Sequence, residues 1–199
     1  MMTEDRLRAL YGAPSPRAAA KEIDRFDDHC RAFIAASPFM VLATGDGETL
    51  DASPKGDPAG FVLVEDDRHL LIPDRPGNNR LDGLLNILRH PRVALIFLIP
   101  TVDETLRVNG TATIHDDADL CARLALNGRA PKTVLRVAAD QIYLHCGKAP
   151  MRAGLWRPET WPAARPVGTL NEIVRDHSGI GADDMSQAAV EAGYRRALY

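Results

Sequence analysis

A chain of 199 residues, 45% of them apolar, is long enough for one sizeable core with helical additions and short for two. The formal net charge of -3, with the basic residues spread along the chain, excludes a general nucleic-acid binder, which carries a clustered basic excess. No apolar run approaches the roughly 20 residues of a bilayer span. The opening "MMTEDRLRALYG" carries charges where a signal peptide is apolar, so no membrane association and a cytoplasmic address are expected.

In "PRAAAKEIDRFDDHCRAFIAAS" the residues Ile23, Phe26, His29, Cys30, Phe33 and Ile34 recur at helical spacing, which predicts an amphipathic helix over 20–36 that stops before Pro38. Next, "FMVLAT", the turn signal "GDGE" and "TLDAS" read as a hairpin. The stretch "SPKGDPAG" reads as a loop stiffened by Pro54 and Pro58, with Lys55 exposed beside the permissive Gly56. "FVLVED" and "HLLIPD" form a second pair of strands around "DDR". In "RPGNNRLDGLLNILRHPRV" the spacing places Leu81, Leu84, Leu85 and Leu88 on one helical face, with Asn78 or Asn79 as the N-cap. Strands are expected in "VALIFLI" and "TLRVNGTATIH", then a helix in "DDADLCARLALNG". "TVLRVAADQIYLHC" is a strand pair or one long bent strand, and a proline-rich stretch then leads to two short helices.

Strands therefore arrive in consecutive runs with helices between them, which favours a mainly antiparallel barrel decorated by helices over a doubly wound parallel sheet. The expected organisation is a helical segment over 1–36, the barrel over 37–156 and a helical tail over 157–199, within one structural domain.

Two groups of residues could carry chemistry. Lys55 and Arg80 lie on two loops, and Arg80 stands at a helix start, where free N–H groups and a guanidinium fork suit a phosphate. The plain alternatives are a solvated turn for Lys55 and a surface pair with Asp74 or Asp82 for Arg80. In "HCGKAPMRAGLW", Lys148, Arg152 and Trp156 recur every fourth residue, so two cations and an aromatic could share a helical face and meet a flat anionic ligand. A core role for Trp156 is the plain alternative. His145 and Cys146 are neighbours on a strand and point to opposite faces; with no ligand spacing among Cys30, Cys121 and Cys146, no metal site is expected. Three thiols without CxxC spacing suit a reducing compartment. Dinucleotide, P-loop and nucleophile-elbow motifs are absent.

The segments "SPFMVLAT", "DASPKGDPAGFV", "LLIPDRPGNNRLDGLLNIL", "FLIPTVDETLRVNGTA" and "HCGKAPMRAGLW", in this order over about residues 37–156, resemble the pyridoxamine 5′-phosphate oxidase-like FMN-binding split-barrel family, in particular a bacterial subgroup of FMN-dependent enzymes. The resemblance implies an α+β fold, a six-stranded antiparallel split β-barrel with peripheral helices. It also implies a homodimer with FMN in clefts between the subunits. By the same resemblance Ser53, Pro54, Lys55 and Gly56 run along the flavin, Ile72 and Pro73 line the isoalloxazine, and Asn79 and Arg80 hold the phosphate. Thr105 takes a polar flavin-facing place, and Lys148, Arg152 and Trp156 reach the cofactor from the other subunit. True oxidases of the family grip the substrate phosphate with an Arg- and His-bearing C-terminal segment that has no counterpart in "RPETWPAARPVG". The implied activity is thus an FMN-dependent oxidoreductase acting on an unassigned small molecule, with NAD(P)H as one candidate electron donor. The same residues also fit an FMN carrier or redox sensor without turnover, and a split barrel of this kind could instead take haem or a deazaflavin.

Overall fold

The computed structural model describes residues 1–179 and 186–198. Its centre is one antiparallel sheet of seven strands in the order β2-β1-β5-β6-β7-β4-β3. The strands are β1 (Phe39–Gly45), β2 (Leu50–Gly56), β3 (Leu63–Val64), β4 (His69–Asp74), β5 (Arg92–Leu98), β6 (Thr105–His115) and β7 (Thr133–His145). The α+β class expected from the sequence is the one observed. The strand count is seven rather than six, with the seventh being the two-residue β3, which is all that "FVLVED" contributes. The segment from Thr133 is one long strand, and its ladder with β6 slips at Asn109/Gly110.

Side chains close the sheet. In a flat sheet β2 and β4 would stand five strand spacings apart, roughly 24 Å at about 4.8 Å each. Instead Lys55 Nζ on β2 lies 2.7 Å from Asp74 Oδ1 on β4, and Arg75 Nε just past β4 lies 2.6 Å from Asp57 Oδ2 just past β2. The sheet is therefore curled until its two sides meet, and a single core fills the interior. Met40, Leu42, Leu95, Phe97, Leu106, Val108, Ile72, Val137 and Ile142 all belong to it. Each fully buried aliphatic side chain of this set contributes about 1.5–3 kcal/mol.

Eight helices surround the sheet among the described residues: α1 (Glu4–Tyr11), α2 (Pro16–Ala20), α3 (Asp28–Ala36), α4 (Asp82–Arg89), α5 (Ala118–Arg123), α6 (Lys148–Ala153), α7 (Leu170–Ser178) and α8 (Gln187–Ala197). Of the single helix expected over 20–36 only the second half, α3, is helical, and α2 already ends at Ala20. Asp27 caps α3 by accepting the Cys30 N–H at 2.8 Å, and Ile23 leaves the helical path to bridge Ile142 on β7. Phe26 still reaches the core between them and is 3% exposed. The helix expected in "DDADLCARLALNG" is only the short α5. The two tail helices are where the sequence placed them, and neither α1 nor α2 was foreseen.

The face of α4 also differs from expectation. Gly83, Asn86 and Ile87 are buried, Leu84 packs on the core, and Leu81, Leu85 and Leu88 are exposed. Gly83 allows the close approach, since a Cβ there would sit 3.1 Å from Asp51 Oδ2. Asn86 Nδ2 donates to Thr44 Oγ1 at 3.2 Å, so this buried polar side chain has a partner on β1.

Candidate functional site

Lys55 does not stand on a loop. β2 runs through Pro54 to Gly56, and because β2 is an edge strand the missing N–H of Pro54 breaks no ladder. Alternation along β2 sends Asp51, Ser53 and Lys55 to a half-buried face and leaves Leu50, Ala52, Pro54 and Gly56 exposed. Ser53 Oγ donates to Asp51 Oδ2 at 2.6 Å. Asp51 was not singled out in the sequence; the signal for it was the polar period of two in "DASPK".

At the far end of β2, Lys55 is held by Asp74, with 21% and 19% of the two side chains exposed. Ile72 and Pro73 precede Asp74 on β4, and both are buried. Ile72 belongs to the barrel core, so the surface this segment offers is largely backbone.

At the near end lies a cleft of about 330 Å³ lined by Thr49, Leu50, Asp51, Arg80, Asp82, Leu85, Asn86 and Arg89. Arg80 Nε lies 2.7 Å from Asp82 Oδ2 in a pair that is 72% and 45% exposed. Neither Asn78 nor Asn79 caps α4. Asn78 Oδ1 accepts the Arg80 N–H at 3.1 Å, Asn79 is left-handed at φ 57°, and the cap position falls to Leu81 at φ 63°, which has no side-chain acceptor. The front of α4 therefore presents backbone N–H groups with no side-chain cap, next to an arginine whose ion pair is open to solvent.

Lys55 and Arg80 thus stand at opposite ends of β2 and do not converge. From Asp51 beside Arg80 to Lys55 is four residues of strand, roughly 13 Å at about 3.3 Å each.

The remaining predicted residues form a third group. Thr105 opens β6 opposite His145, and α6 follows β7 directly. Gly147 lies tight against Asp103, where a Cβ would come within 2.5 Å of the aspartate Cβ, and Trp156 Nε1–H donates to the Val102 carbonyl at 2.9 Å. Lys148 and Arg152 are exposed on α6. Trp156 is half-buried and does not share their helix, because Gly154 ends it in the left-handed region at φ 62°. Among the described residues, no three His, Cys, Asp or Glu side chains gather closely enough to hold a metal ion.

Several solved structures resemble this chain in part. A HupZ variant from Group A Streptococcus is 17% identical with a TM-score of 0.50, over 60% of this chain and 98% of its own. General stress protein 26 from Bacillus anthracis is 17% identical with a TM-score of 0.46, over 57% and 88%. An F420 reductase is 18% identical with a TM-score of 0.42, over 56% and 94%. At these identities the likeness concerns the fold alone. No curated protein matches the chain. Residues 26–146, more than half of the sequence and nearly all of the barrel, match the family described as pyridoxamine 5′-phosphate oxidase. The chain belongs to the pyridoxamine 5′-phosphate oxidase family.

Proposed function

We propose that the chain is a cytoplasmic FMN-dependent oxidoreductase that works as a homodimer. The observation that carries the reading is the uncapped N-terminus of α4 with Asn79 and Arg80 at its front, inside the region that matches the family. These donors suit one terminal phosphate. Displacing Asp82 from Arg80 costs little, because solvent screens an ion pair this exposed. Asp51 and Ser53, next along β2, offer acceptors and a hydroxyl to a polyol chain, and Pro54 to Gly56 with Ile72 and Pro73 would border the ring system. Thr105, Lys148, Arg152 and Trp156 form a separate group, which supports a cofactor shared between two copies.

FMN, when bound, supplies hydride or single-electron transfer; the protein supplies position and electrostatics. In the chain itself, Arg80 and the α4 terminus neutralise the phosphate, and no described side chain is required as acid or base. The substrate is a small molecule, with NAD(P)H as a candidate electron donor. Three unpaired cysteines accord with a reducing compartment, and no described helix is long and apolar enough to cross a membrane.

Calorimetry with FMN and riboflavin tests the phosphate assignment. Arg80→Ala should weaken FMN by about 1.5–3 kcal/mol, the range of a charge-assisted hydrogen bond, and leave riboflavin nearly unchanged. Equal losses for both ligands would refute it. Anaerobic reduction of the loaded protein by NADH or NADPH then separates turnover from flavin carriage.

A further inference from the structure

The outer face of β6 and β7 carries a cationic cluster that the flavin reading does not use. Arg107 on β6 is paired across the ladder with Tyr143 on β7, and its guanidinium carbon lies 5.2 Å from the centre of the Tyr143 ring. Lys21 Nζ lies 5.2 Å from the same centre. The lysine is delivered there by the bridge between Ile23 and Ile142, and its ammonium donates to the Leu144 carbonyl at 2.8 Å. The His145 ring centre is 5.9 Å from that of Tyr143.

Two full positive charges therefore share one phenol ring. Elsewhere the arginines on or next to the strands are neutralised: Arg68 has Asp24, Arg75 has Asp57, Arg92 has Asp140 and Arg136 has Glu65. Here, among the described residues, no carboxylate pairs with Arg107 or Lys21, and no hydrogen bond engages the Arg107 guanidinium. Its Nε is sealed from solvent without a partner, while its terminal nitrogens are not sealed. A cation over an aromatic face is held more weakly than a guanidinium forked onto an oxyanion. The arrangement holds an arginine fork in place, sets a second cation beside it and leaves the counter-charge to come from outside.

We propose that Lys21, Arg107, Tyr143 and His145 form a binding site for a small oxyanion, the phosphate or carboxylate group of a ligand, on the outer face of β6 and β7. None of its residues is assigned to the flavin, although His145 stands opposite Thr105. Arg107 supplies the fork, Lys21 the second charge, and His145 a ring N–H at the rim. Burial, reinforced by Lys21 and Arg107, holds the His145 pKa below its ordinary value. A bound oxyanion offsets those two charges and raises it again, so His145 reports occupancy.

The experiment follows the His145 ring signals by NMR in flavin-free protein titrated with inorganic phosphate or with acetate, against chloride at matched ionic strength. A saturable shift with an upward move in the His145 pKa is expected. Its affinity should fall at least about tenfold in Lys21→Ala and in Arg107→Gln and stay unchanged in Arg80→Ala. Saturation by phosphate alone assigns a phosphate ligand, and saturation by acetate alone a carboxylate. Lys21 is exposed, so its variant keeps the test valid even where Arg107→Gln misfolds. An equal response to chloride, undiminished binding in Lys21→Ala, or loss of binding in Arg80→Ala would overturn the proposal.

Discussion

Lys55 and Arg80 show how a side chain's role is set by the company it keeps. Each carries a charge suited to phosphate, and each is closed by a carboxylate at 2.7 Å, one pair half-buried and one exposed. Only the exposed pair exchanges cheaply, which is why the phosphate assignment rests on Arg80. The cysteines divide in the same way. Cys30 and Cys121 are buried and Cys146 is exposed. Burial, with Asp27 beside it, pushes the Cys30 thiol up to about 12. A thiol raised in this way contributes stability that is complete below the ordinary thiol range and is lost as pH rises towards 12. A thiol-reactive dye at pH 8 should therefore titrate one thiol in the native protein and all three after unfolding in guanidinium. Two fast-reacting native thiols would contradict the burial of Cys30 or Cys121.

The elements follow local chemistry where a local rule decides and depart from it where packing decides. Asp27 was a ready N-cap, and α3 begins just after it. The leucines of α4 obeyed a helical period, yet the helix turned its Gly83, Asn86 and Ile87 side inward, where a Cβ on Gly83 would sit 3.1 Å from Asp51 Oδ2. The slip between β6 and β7 is another contact of this kind. A Cβ on Gly110 would lie 2.0 Å from the Ala138 carbonyl oxygen, and that atom belongs to a backbone held in the ladder. Gly110→Ala should therefore cost about 3 kcal/mol or more, measured as a lowered urea midpoint with unchanged slope. A loss below about 0.5 kcal/mol, the usual effect of a surface substitution, would mean that the strands relax around the new methyl group.

At the scale of the molecule, the closed sheet hides one face and leaves the other to be covered. On the outer side, register brings Phe39 and Val41 beside Pro54 and Ile96, an apolar surface in which Phe39 is 39% and Ile96 37% exposed, with Leu50 on β2 at 92%. Contiguous apolar surface of this kind marks an interaction site, and a second copy is the partner proposed here. Sedimentation at micromolar concentration should give a dimer. Ile96→Asp should shift it towards monomer by about 3 kcal/mol, the cost of burying an unpaired carboxylate, with the far-UV spectrum unchanged. A monomeric parent protein would remove the dimer from the proposed function.

What the sequence determined by itself was local in origin. Alternation and helical spacing located the strands and most helices, and the order of the motifs pointed to the family that residues 26–146 match. The alternation of Asp51, Ser53 and Lys55 was equally legible, though the two prolines of "SPKGDP" made a strand end look like a loop. Tertiary structure alone decided the partners. Lys55 meets Asp74 across 19 residues, and Lys21 meets the Leu144 carbonyl across 123. A period of two or 3.6 says which way a side chain leaves its own element and nothing about which distant element stands opposite. Charge neutralisation, the inward face of α4 and the unpaired cations on Tyr143 depend on that second fact, because ionic and packing energies are set by through-space distance and desolvation.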